Sequence, residues 1–266
     1  KNSIVNDFKI RAGYGITGSD KIGAYQYIPI LSTGEYPFGD NVNQTLMSLT
    51  MANTSIHWEE VHQSNIGVDM SLFKSRINLS LDGYIKNTRD MLVKAAIPIT
   101  SGFEDVTDTY TNAGMVRNVG TELFIHSVNF EGKNDGFRWE TTLNVSWNTN
   151  KITALNSSTP KYENEINGAY ATIQKTGYPV NSFFGYVTNG LFQTPEDVDG
   201  YATQQAGTAP GDIRFKDLHP DGVIDEKDRT IIGNPNPDWL FSMSNDFYWK
   251  GFSLSIYLQG VQGNDI

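Results

Sequence analysis

Cysteine is absent from this chain of 266 residues, which excludes disulfide bonds, thiolate metal sites and cysteine nucleophiles. Long apolar runs are absent as well, and without a run of about 18 apolar residues a helical membrane span is excluded. Cationic residues are scarce, and the resulting net charge of −10 disfavours a nucleic-acid backbone as a partner. A membrane-spanning β-barrel is not excluded, because its alternating strands never produce a long apolar run.

Aromatic residues and glycine, by contrast, are abundant. Phe, Trp and Tyr make up 12% of the chain, and 25 residues are Gly. This mixture favours β-structure with many turns over a bundle of helices. Segments in which apolar and polar residues alternate start near Phe8, Ile66, Ile77, Phe137 and Phe252. A period of two predicts strands that each have one apolar and one polar face.

The connections between these segments are of two kinds. Short turns are predicted at 73–76, 130–136 and 248–251, whereas long irregular segments are predicted at 16–55, 86–112 and 151–237. Tight turns at one end and long loops at the other are typical of a transmembrane barrel. Strands of a soluble β-sandwich also alternate, so a sandwich stays open as the alternative fold.

The most distinctive local motif is the twelve-residue stretch from Asp217 to Asp228, named here the Asp loop. It places carboxylates at its first, fifth, ninth and twelfth positions, and Gly222 at the sixth, where the chain must turn. Ca²⁺ takes about six to eight oxygen ligands, and this spacing brings several oxygens to one centre. The predicted metal ligands are Asp217, His219, Asp221, Val223 through its carbonyl, Asp225 and Asp228.

Two positions of the Asp loop depart from the usual calcium pattern. His219 stands at the third position, where an oxygen donor is usual, and imidazole is a poor ligand for Ca²⁺. Asp228 is one methylene shorter than the Glu that usually closes such a loop. An Asp- and Gly-rich surface turn that binds no ion is therefore the alternative interpretation.

Several phrases in order along the chain resemble one protein family. They are Asn112-Ala-Gly-Met-Val-Arg-Asn-Val-Gly-Thr-Glu122, Gly177-Tyr-Pro-Val-Asn-Ser-Phe-Phe-Gly-Tyr186, Asn189-Gly-Leu-Phe-Gln193, Ala209-Pro-Gly-Asp-Ile213, the Asp loop, Ile232-Gly-Asn-Pro-Asn-Pro237 and Leu258-Gln-Gly260. In this order they resemble the C-terminal barrel region of SusC/RagA-type TonB-linked outer-membrane transporters. The resemblance covers most of the chain from about His57 onward and is weakest across residues 15–55.

The resemblance implies an all-β fold, an antiparallel segment of a 22-stranded transmembrane barrel with long extracellular loops. It implies uptake of a nutrient, an oligosaccharide or a peptide, across the outer membrane of a Gram-negative cell. It further implies two partners, a SusD-like surface lipoprotein as a lid and the TonB complex, which acts through a plug domain. In such a setting Ca²⁺ would be structural, bracing an extracellular loop.

As to domain organisation, residues 1–266 are expected to be a partial barrel domain without its plug. This domain is expected to be an internal piece of a larger protein, and the piece itself is expected to contain eight to ten strands. Residues 151–237 are expected to form a long extracellular region that contains the Asp loop at 217–228. An isolated piece of this size leaves open strand edges, which a lipid bilayer does not tolerate.

Enzymatic function has little support, because the histidines are scattered and no Gly-x-Ser-x-Gly motif is present. Aromatic side chains in the predicted loops are candidates for contacts with a glycan or peptide. These candidates are Tyr110, Phe183, Phe184, Tyr186 and Phe192. For each ring, loop packing or contact with the lid protein is the alternative role. The alternative function for the whole chain is a soluble, calcium-stabilised β-sandwich module that binds carbohydrate.

Overall fold

The computed structural model describes residues 4–25, 27–48, 51–95, 100, 109–133, 136–155, 161–166 and 169–266. Within these residues the strands are β1 (Val5–Ser19), β2 (Leu31–Phe38), β3 (Asn41–Ser48), β4 (Glu59–Leu72), β5 (Ile77–Ala95), β6 (Thr109–Glu131), β7 (Arg138–Leu155), β8 (Lys161–Ile166), β9 (Ala169–Gln174), β10 (Ser182–Tyr186), β11 (Thr188–Leu191), β12 (Ile213–Phe215), β13 (Arg229–Gly233), β14 (Trp239–Trp249) and β15 (Phe252–Gln262). One α-helix, α1 (Pro195–Asp199), and a 3₁₀ turn at Glu226–Asp228 complete the described elements. No helix in this part of the chain is long and apolar enough to cross a membrane.

The largest sheet has seven antiparallel strands in the order β1-β4-β5-β6-β7-β14-β15. Backbone register aligns apolar side chains on six of them in one row, which Gly260 on β15 completes: Ile10, Val68, Leu81, Leu123, Val145 and Phe241. The adjacent row points to the other face and is mostly polar: Lys9, Asp69, Ser80, Phe124, Asn144, Ser242 and Gln259. The predicted alternation is thus confirmed as one continuous apolar face and one polar face.

The apolar face of this sheet is uncovered. Ile10 is 63% exposed, Leu254 is 58% exposed and Phe241 is 46% exposed. Within the described residues no second large sheet stacks on it, since the remaining sheets have only two or four strands. The arrangement therefore differs from a β-sandwich, in which two sheets bury their apolar faces against each other.

Aromatic rings border the apolar face on two rows. Trp139 pairs with Phe247 near the short turns, and Trp147 pairs with Trp239 near the long connections. Trp139 and Phe247 stack with ring centroids 5.8 Å apart. A strand rises by about 3.3 Å per residue and is tilted by about 40° in a barrel. Along β7 from Trp139 to Trp147 this puts the two rows roughly 20 Å apart along the membrane normal. An apolar band of this height with aromatic borders suits a thin bilayer.

Several expectations about the strands were wrong. The segment at 16–55, predicted to be irregular, contains the hairpin of β2 and β3, and the segment at 151–237 contains β8 to β13. In the segment predicted to be irregular at 86–112, nearly all of the described residues are strand, because β5 runs to Ala95 and β6 starts at Thr109. About 9–11 strand residues cross a bilayer, so strands of 19 and 23 residues extend beyond it, where no lipid imposes an apolar face. In the described part of the chain the main sheet also has seven strands rather than eight to ten, because β2, β3 and the strands between Lys161 and Gly233 form smaller sheets of their own.

The polar face carries an ion-pair network and a groove. Arg11 binds Asp69 at 2.7 Å and Asp82 at 2.8 Å, and this bridge across three strands passes over Gly67. A side chain at position 67 would occupy the place of the guanidinium and carboxylate groups. The same face holds a groove of about 700 Å³, whose lining includes Glu122 and Gln259.

The long connection between β7 and β14 is tied to the end of the main sheet. Ile152 donates its backbone N–H to the carbonyl of Tyr178 at 2.9 Å, and Asn150 Oδ1 accepts the N–H of Val180 at 2.8 Å. Asn236 Nδ2 then donates to the carbonyl of Val180 at 2.9 Å. These bonds hold the residues that follow, 182–233, at the long-loop end of the sheet. We call residues 182–233 the loop unit.

Candidate binding site in the long connection

The loop unit is built on short strand pairs and has a small core of its own. β10 pairs with β9 and β13, and β11 pairs with β12. Helix α1 is capped by Thr194, whose side chain accepts from the N–H of Asp197, and Pro195 starts the helix. Ser182 and Phe192 are buried at 0% and 1% exposure. The Asp loop joins β12 to β13 and has a buried residue of its own, Asp228.

Asp228 is the central residue of the Asp loop, because its side chain is fully buried at 0% exposure. Its Oδ1 accepts the backbone N–H groups of Leu218 at 2.8 Å and His219 at 2.9 Å. Its Oδ2 accepts the N–H of Asp225 at 2.8 Å. These backbone donors, that of Asp225 first, hold the pKa of the Asp228 carboxyl below its usual value. The buried carboxylate thus closes the loop through its backbone.

The other three aspartates of the Asp loop lie nearer the surface. Asp217 Oδ2 accepts the N–H of Gly222 at 3.0 Å, while Asp217 Oδ1 is buried without a hydrogen-bond partner in the described chain. Gly222 has a φ of +81°, a left-handed conformation that favours glycine. Lys227 Nζ lies 3.7 Å from both Asp221 Oδ2 and Asp225 Oδ2. An internal ammonium group therefore sits between two of the predicted metal ligands.

The remaining predicted metal ligands, His219 and Val223, both lie on the exposed side of the Asp loop. Val223 donates its N–H to Asp221 Oδ1 at 3.0 Å, in a turn of the Asx type. In the residues that the structure describes, no three His, Cys, Asp or Glu side chains converge closely enough to hold a metal ion. The predicted ligands share one loop, and their carboxylate oxygens, apart from Asp217 Oδ1, face backbone N–H groups or Lys227 Nζ.

Arg229, directly after the Asp loop, ties the loop to β10. Its guanidinium lies 4.6 Å from the ring centre of Phe184 and 5.9 Å from that of Tyr186. Its Nη2 also donates to the carbonyl of Phe184 at 3.2 Å. Stacking of a guanidinium on aromatic rings is stabilising, and it covers one face of Phe184.

A cleft of about 540 Å³ opens in the loop unit next to the Asp loop. Tyr186 and Phe215 form an aromatic wall, with ring centres 5.2 Å apart at an angle of 41°. Burial raises the pKa of the Tyr186 hydroxyl above its usual value. Polar side chains from the segment between α1 and β12 complete the lining: Gln204, Gln205, Thr208 and Asp212.

Of the five aromatic residues predicted to contact a ligand, the structure places only Tyr186 in this cleft. Phe183 and Phe184 precede it on β10, outside the lining, and Phe192 is a core residue at 1% exposure. Tyr110 lies far along the chain on β6, where its carbonyl accepts from Asn53 Nδ2 at 2.8 Å. The sequence did not mark the polar lining residues as ligand contacts. Only Asp212 lies in one of the family-like phrases, Ala209–Ile213, and no role was predicted for that phrase.

Comparison with known proteins relates the chain to one family. Its sequence matches the family model described as TonB dependent receptor-like, beta-barrel, over residues 3–217. TonB-dependent receptor P3 of Formosa agariphila is 32% identical over 269 residues, covering 100% of this chain and 26% of that protein. TonB-dependent receptor SusC of Bacteroides thetaiotaomicron is 29% identical over 275 residues, covering 98% of this chain and 26% of that protein. The chain spans about a quarter of the length of these curated relatives.

Solved structures with the same fold are also known. The RagAB peptide transporter superposes with a TM-score of 0.74 at 23% identity, over 97% of this chain and 27% of that chain. The RagAB peptide importer in its 'closed-closed' state superposes with a TM-score of 0.75 at 23% identity, over 99% of this chain and 27% of that chain. At this identity the likeness establishes the fold, and the seven-stranded sheet corresponds to an open part of such a barrel.

Proposed function

Because the chain belongs to the family of TonB-dependent receptor β-barrels, we propose that it is part of an active transporter that takes up a nutrient across the outer membrane. Proteins of this family are outer-membrane β-barrels. The observation that supports the proposal most strongly is the uncovered apolar face of the main sheet, bordered by aromatic rows. A face of this kind suits contact with the hydrocarbon of a bilayer. The proposal assigns no catalytic step to the chain.

The finer parts of the proposal concern partners and cargo. One relative is named SusC, and two structural neighbours are titled as the RagAB peptide transporter and importer. We infer that this chain pairs with a SusD-like lipoprotein and that the TonB complex drives transport. The solute, an oligosaccharide or a peptide, is captured between the lipoprotein and the loops at the long-connection end, and the loop unit is one of those loops.

Uptake by cells carrying the full-length gene tests this function. A deletion strain is expected to lose growth on the solute that the protein imports, and the intact gene is expected to restore it. The full-length protein should fractionate with outer membranes and migrate faster on gels before heating than after it. Recovery of the folded full-length protein in the soluble fraction without detergent would contradict the transporter proposal.

We also propose that the Asp loop binds a structural Ca²⁺. Two observations support this: the buried Asp217 Oδ1 has no donor in the described chain, and a cation already sits between Asp221 and Asp225 in the form of Lys227 Nζ. A buried carboxylate oxygen without a partner is costly, and a divalent ion would supply one. Val223 and His219 would add a carbonyl and an imidazole at the rim of the same loop.

Calorimetric titration of Ca²⁺ into full-length protein tests the ion site with two variants. The double variant Asp221→Ala/Asp225→Ala is expected to lose the binding heat, because it removes two of the proposed oxygen ligands. Lys227→Gln is expected to bind Ca²⁺ more tightly than the native protein, because the competing ammonium group is gone. Identical titrations for the native protein and the double variant would remove the calcium assignment.

A further inference from the structure

We propose that the cleft beside the Asp loop is a binding site for a neutral oligosaccharide. The inference deepens the proposed function, because it assigns a solute class to one loop of the transporter. The cleft is lined by residues 186, 204, 205, 208, 212, 213, 215 and 224, which come from β10, from the segment before β12, from β12 and from the Asp loop. Its volume of about 540 Å³ falls within the range of small-ligand sites in proteins.

The aromatic wall supplies the apolar part of the recognition. Tyr186 and Phe215 are tilted at 41° with centres 5.2 Å apart, so together they form an open corner rather than a closed stack. Aromatic faces carry partial negative charge and attract the C–H groups of a ligand. A pyranose ring presents C–H groups on its face and hydroxyls around its rim, which is the complement of an aromatic corner surrounded by polar groups.

The polar part of the lining has hydrogen-bonding capacity to spare. The Gln205 side-chain amide and the Tyr186 hydroxyl make no hydrogen bond within the described chain, although both lie at the cleft. Asp212 uses Oδ2 to accept the N–H of Ala209 at 2.8 Å, which leaves Oδ1 for a ligand. An amide, a phenol and a carboxylate together donate to and accept from sugar hydroxyls.

Gln204 makes the cleft unsuitable for an extended peptide. Its Nε2 donates to the carbonyl of Ile213 at 3.0 Å, and its Oε1 accepts the N–H of Phe215 at 2.8 Å. The side-chain amide thus occupies the backbone positions through which a peptide strand would add to the edge of β12. Peptides bound by strand addition owe their affinity to those main-chain bonds. Recognition here must instead come from side chains.

Charge favours a neutral sugar over an anionic one. The loop unit contains nine Asp and Glu residues and only four Lys and Arg residues. Asp212 lies in the cleft lining itself, and the Asp loop contributes Ile224 to the wall. A uronate or a sulfated glycan would bring negative charge into an already acidic region, which costs binding free energy.

The Asp loop holds the polar wall of the cleft in place. Thr203 donates its N–H to the carbonyl of Gly222 at 2.9 Å, and its own carbonyl accepts the N–H of Ile224 at 2.8 Å. Thr203 directly precedes Gln204 and Gln205, so the Asp loop fixes the position of both amides. The loop therefore acts as a brace for the cleft, with or without a bound ion.

Binding of full-length protein in detergent to an array of printed hexasaccharides tests the inference. The array carries neutral glucans, xylans and mannans, with oligogalacturonate and oligoalanine as the anionic and peptide probes. The native protein is expected to retain at least one neutral chain and neither of the other two. Gln205→Ala and Asp212→Asn are each expected to weaken that binding by about tenfold, because the first removes an unpaired side-chain amide and the second replaces a charged acceptor by a weaker neutral group, both at exposed positions. Tyr186→Phe is expected to weaken it less.

Asp199→Asn is the matched control, since it makes the same charge change in the loop unit outside the cleft and should leave binding within about twofold. Retention of the anionic or peptide probe alone, or of no neutral chain, would overturn the inference. Equal binding by Gln205→Ala, Asp212→Asn and the native protein would also overturn it. Uptake is measured separately in cells, so that a failure of transport with intact cleft binding counts against the proposed function alone.

Discussion

At the scale of single residues, the structure of the loop unit depends on the side chain of Asp228. Its fully buried carboxylate accepts three backbone N–H groups, from Leu218, His219 and Asp225. Buried polar groups are costly unless they are hydrogen-bonded, and a carboxylate that is satisfied in this way is stabilising. The residue therefore links the two ends of the Asp loop, and it does so whether or not an ion binds.

Replacing Asp228 by Asn tests this role. An amide keeps the shape but has one oxygen, so an NH₂ group is left facing at least one backbone N–H in a buried site. Cleavage by trypsin after Lys216 and Lys227 in the full-length protein is expected to become about ten times faster, because the loop opens more often. Asp199→Asn should leave the rate unchanged. Equal cleavage of the native protein and the Asp228→Asn variant would refute the assigned role.

The same carboxylate makes the loop sensitive to acid. The pKa of Asp228 is held below its ordinary value of 3.8, so the stability it contributes is complete at neutral pH. That contribution starts to fall as the pH drops below the ordinary value and is lost as the pH falls through the folded-state pKa. With proteolysis rates normalised to an unstructured substrate, the difference between the native protein and Asp228→Asn should disappear in acid. A difference that persists at all pH values would contradict this assignment.

At the scale of elements, a glycine on the polar face can leave room for a large side chain from a neighbouring strand. A Cβ on Gly120 would meet the Tyr84 ring at 2.6 Å and the carbonyl of Trp147 at 2.7 Å. Gly13 lies in the same row of the polar face and has open space around it. The two positions thus form a natural pair for comparison.

Gly120→Ala is expected to destabilise the barrel by about 1–3 kcal/mol, because a backbone carbonyl cannot move aside for the new methyl group. Gly13→Ala should have little effect, since nothing lies within 4 Å of the added carbon. Urea unfolding of the full-length protein in lipid vesicles, followed by the gel mobility shift, measures both. Equal midpoints for the two variants would show that the close packing at Gly120 is unimportant.

Alternation predicted the membrane-crossing parts of β1, β4, β5, β7 and β15, because lipid imposes an apolar face there. It did not mark β6 or β14, and it missed the outer half of β5, where backbone pairing continues without any demand on side-chain polarity. The position of the Asp loop was predictable from its carboxylates, whereas the role of Asp228 as a backbone acceptor was not. The cleft was not predictable either, since Tyr186, Gln205 and Asp212 meet only through the pairing of short strands.

At the scale of the whole molecule, the account depends on which face of the main sheet meets lipid. The apolar row through Leu143 and the polar row through Asn144 lie on opposite faces, although the two residues are neighbours on β7. The ion pairs of Arg11 and the groove of about 700 Å³ lie on the polar face, which would line the lumen of the complete barrel. The cleft and the Asp loop lie at the end where the long connections meet.

Lipid quenching of a fluorophore at adjacent positions tests this arrangement most directly. The chain has no cysteine, so Leu143→Cys and Asn144→Cys each introduce one labelling site here, in full-length protein freed of any other cysteine and reconstituted into vesicles. Spin-labelled lipid chains are expected to quench the fluorophore at position 143 strongly and the one at position 144 weakly. Equal quenching at the two positions, or stronger quenching at position 144, would contradict a lipid-facing apolar sheet.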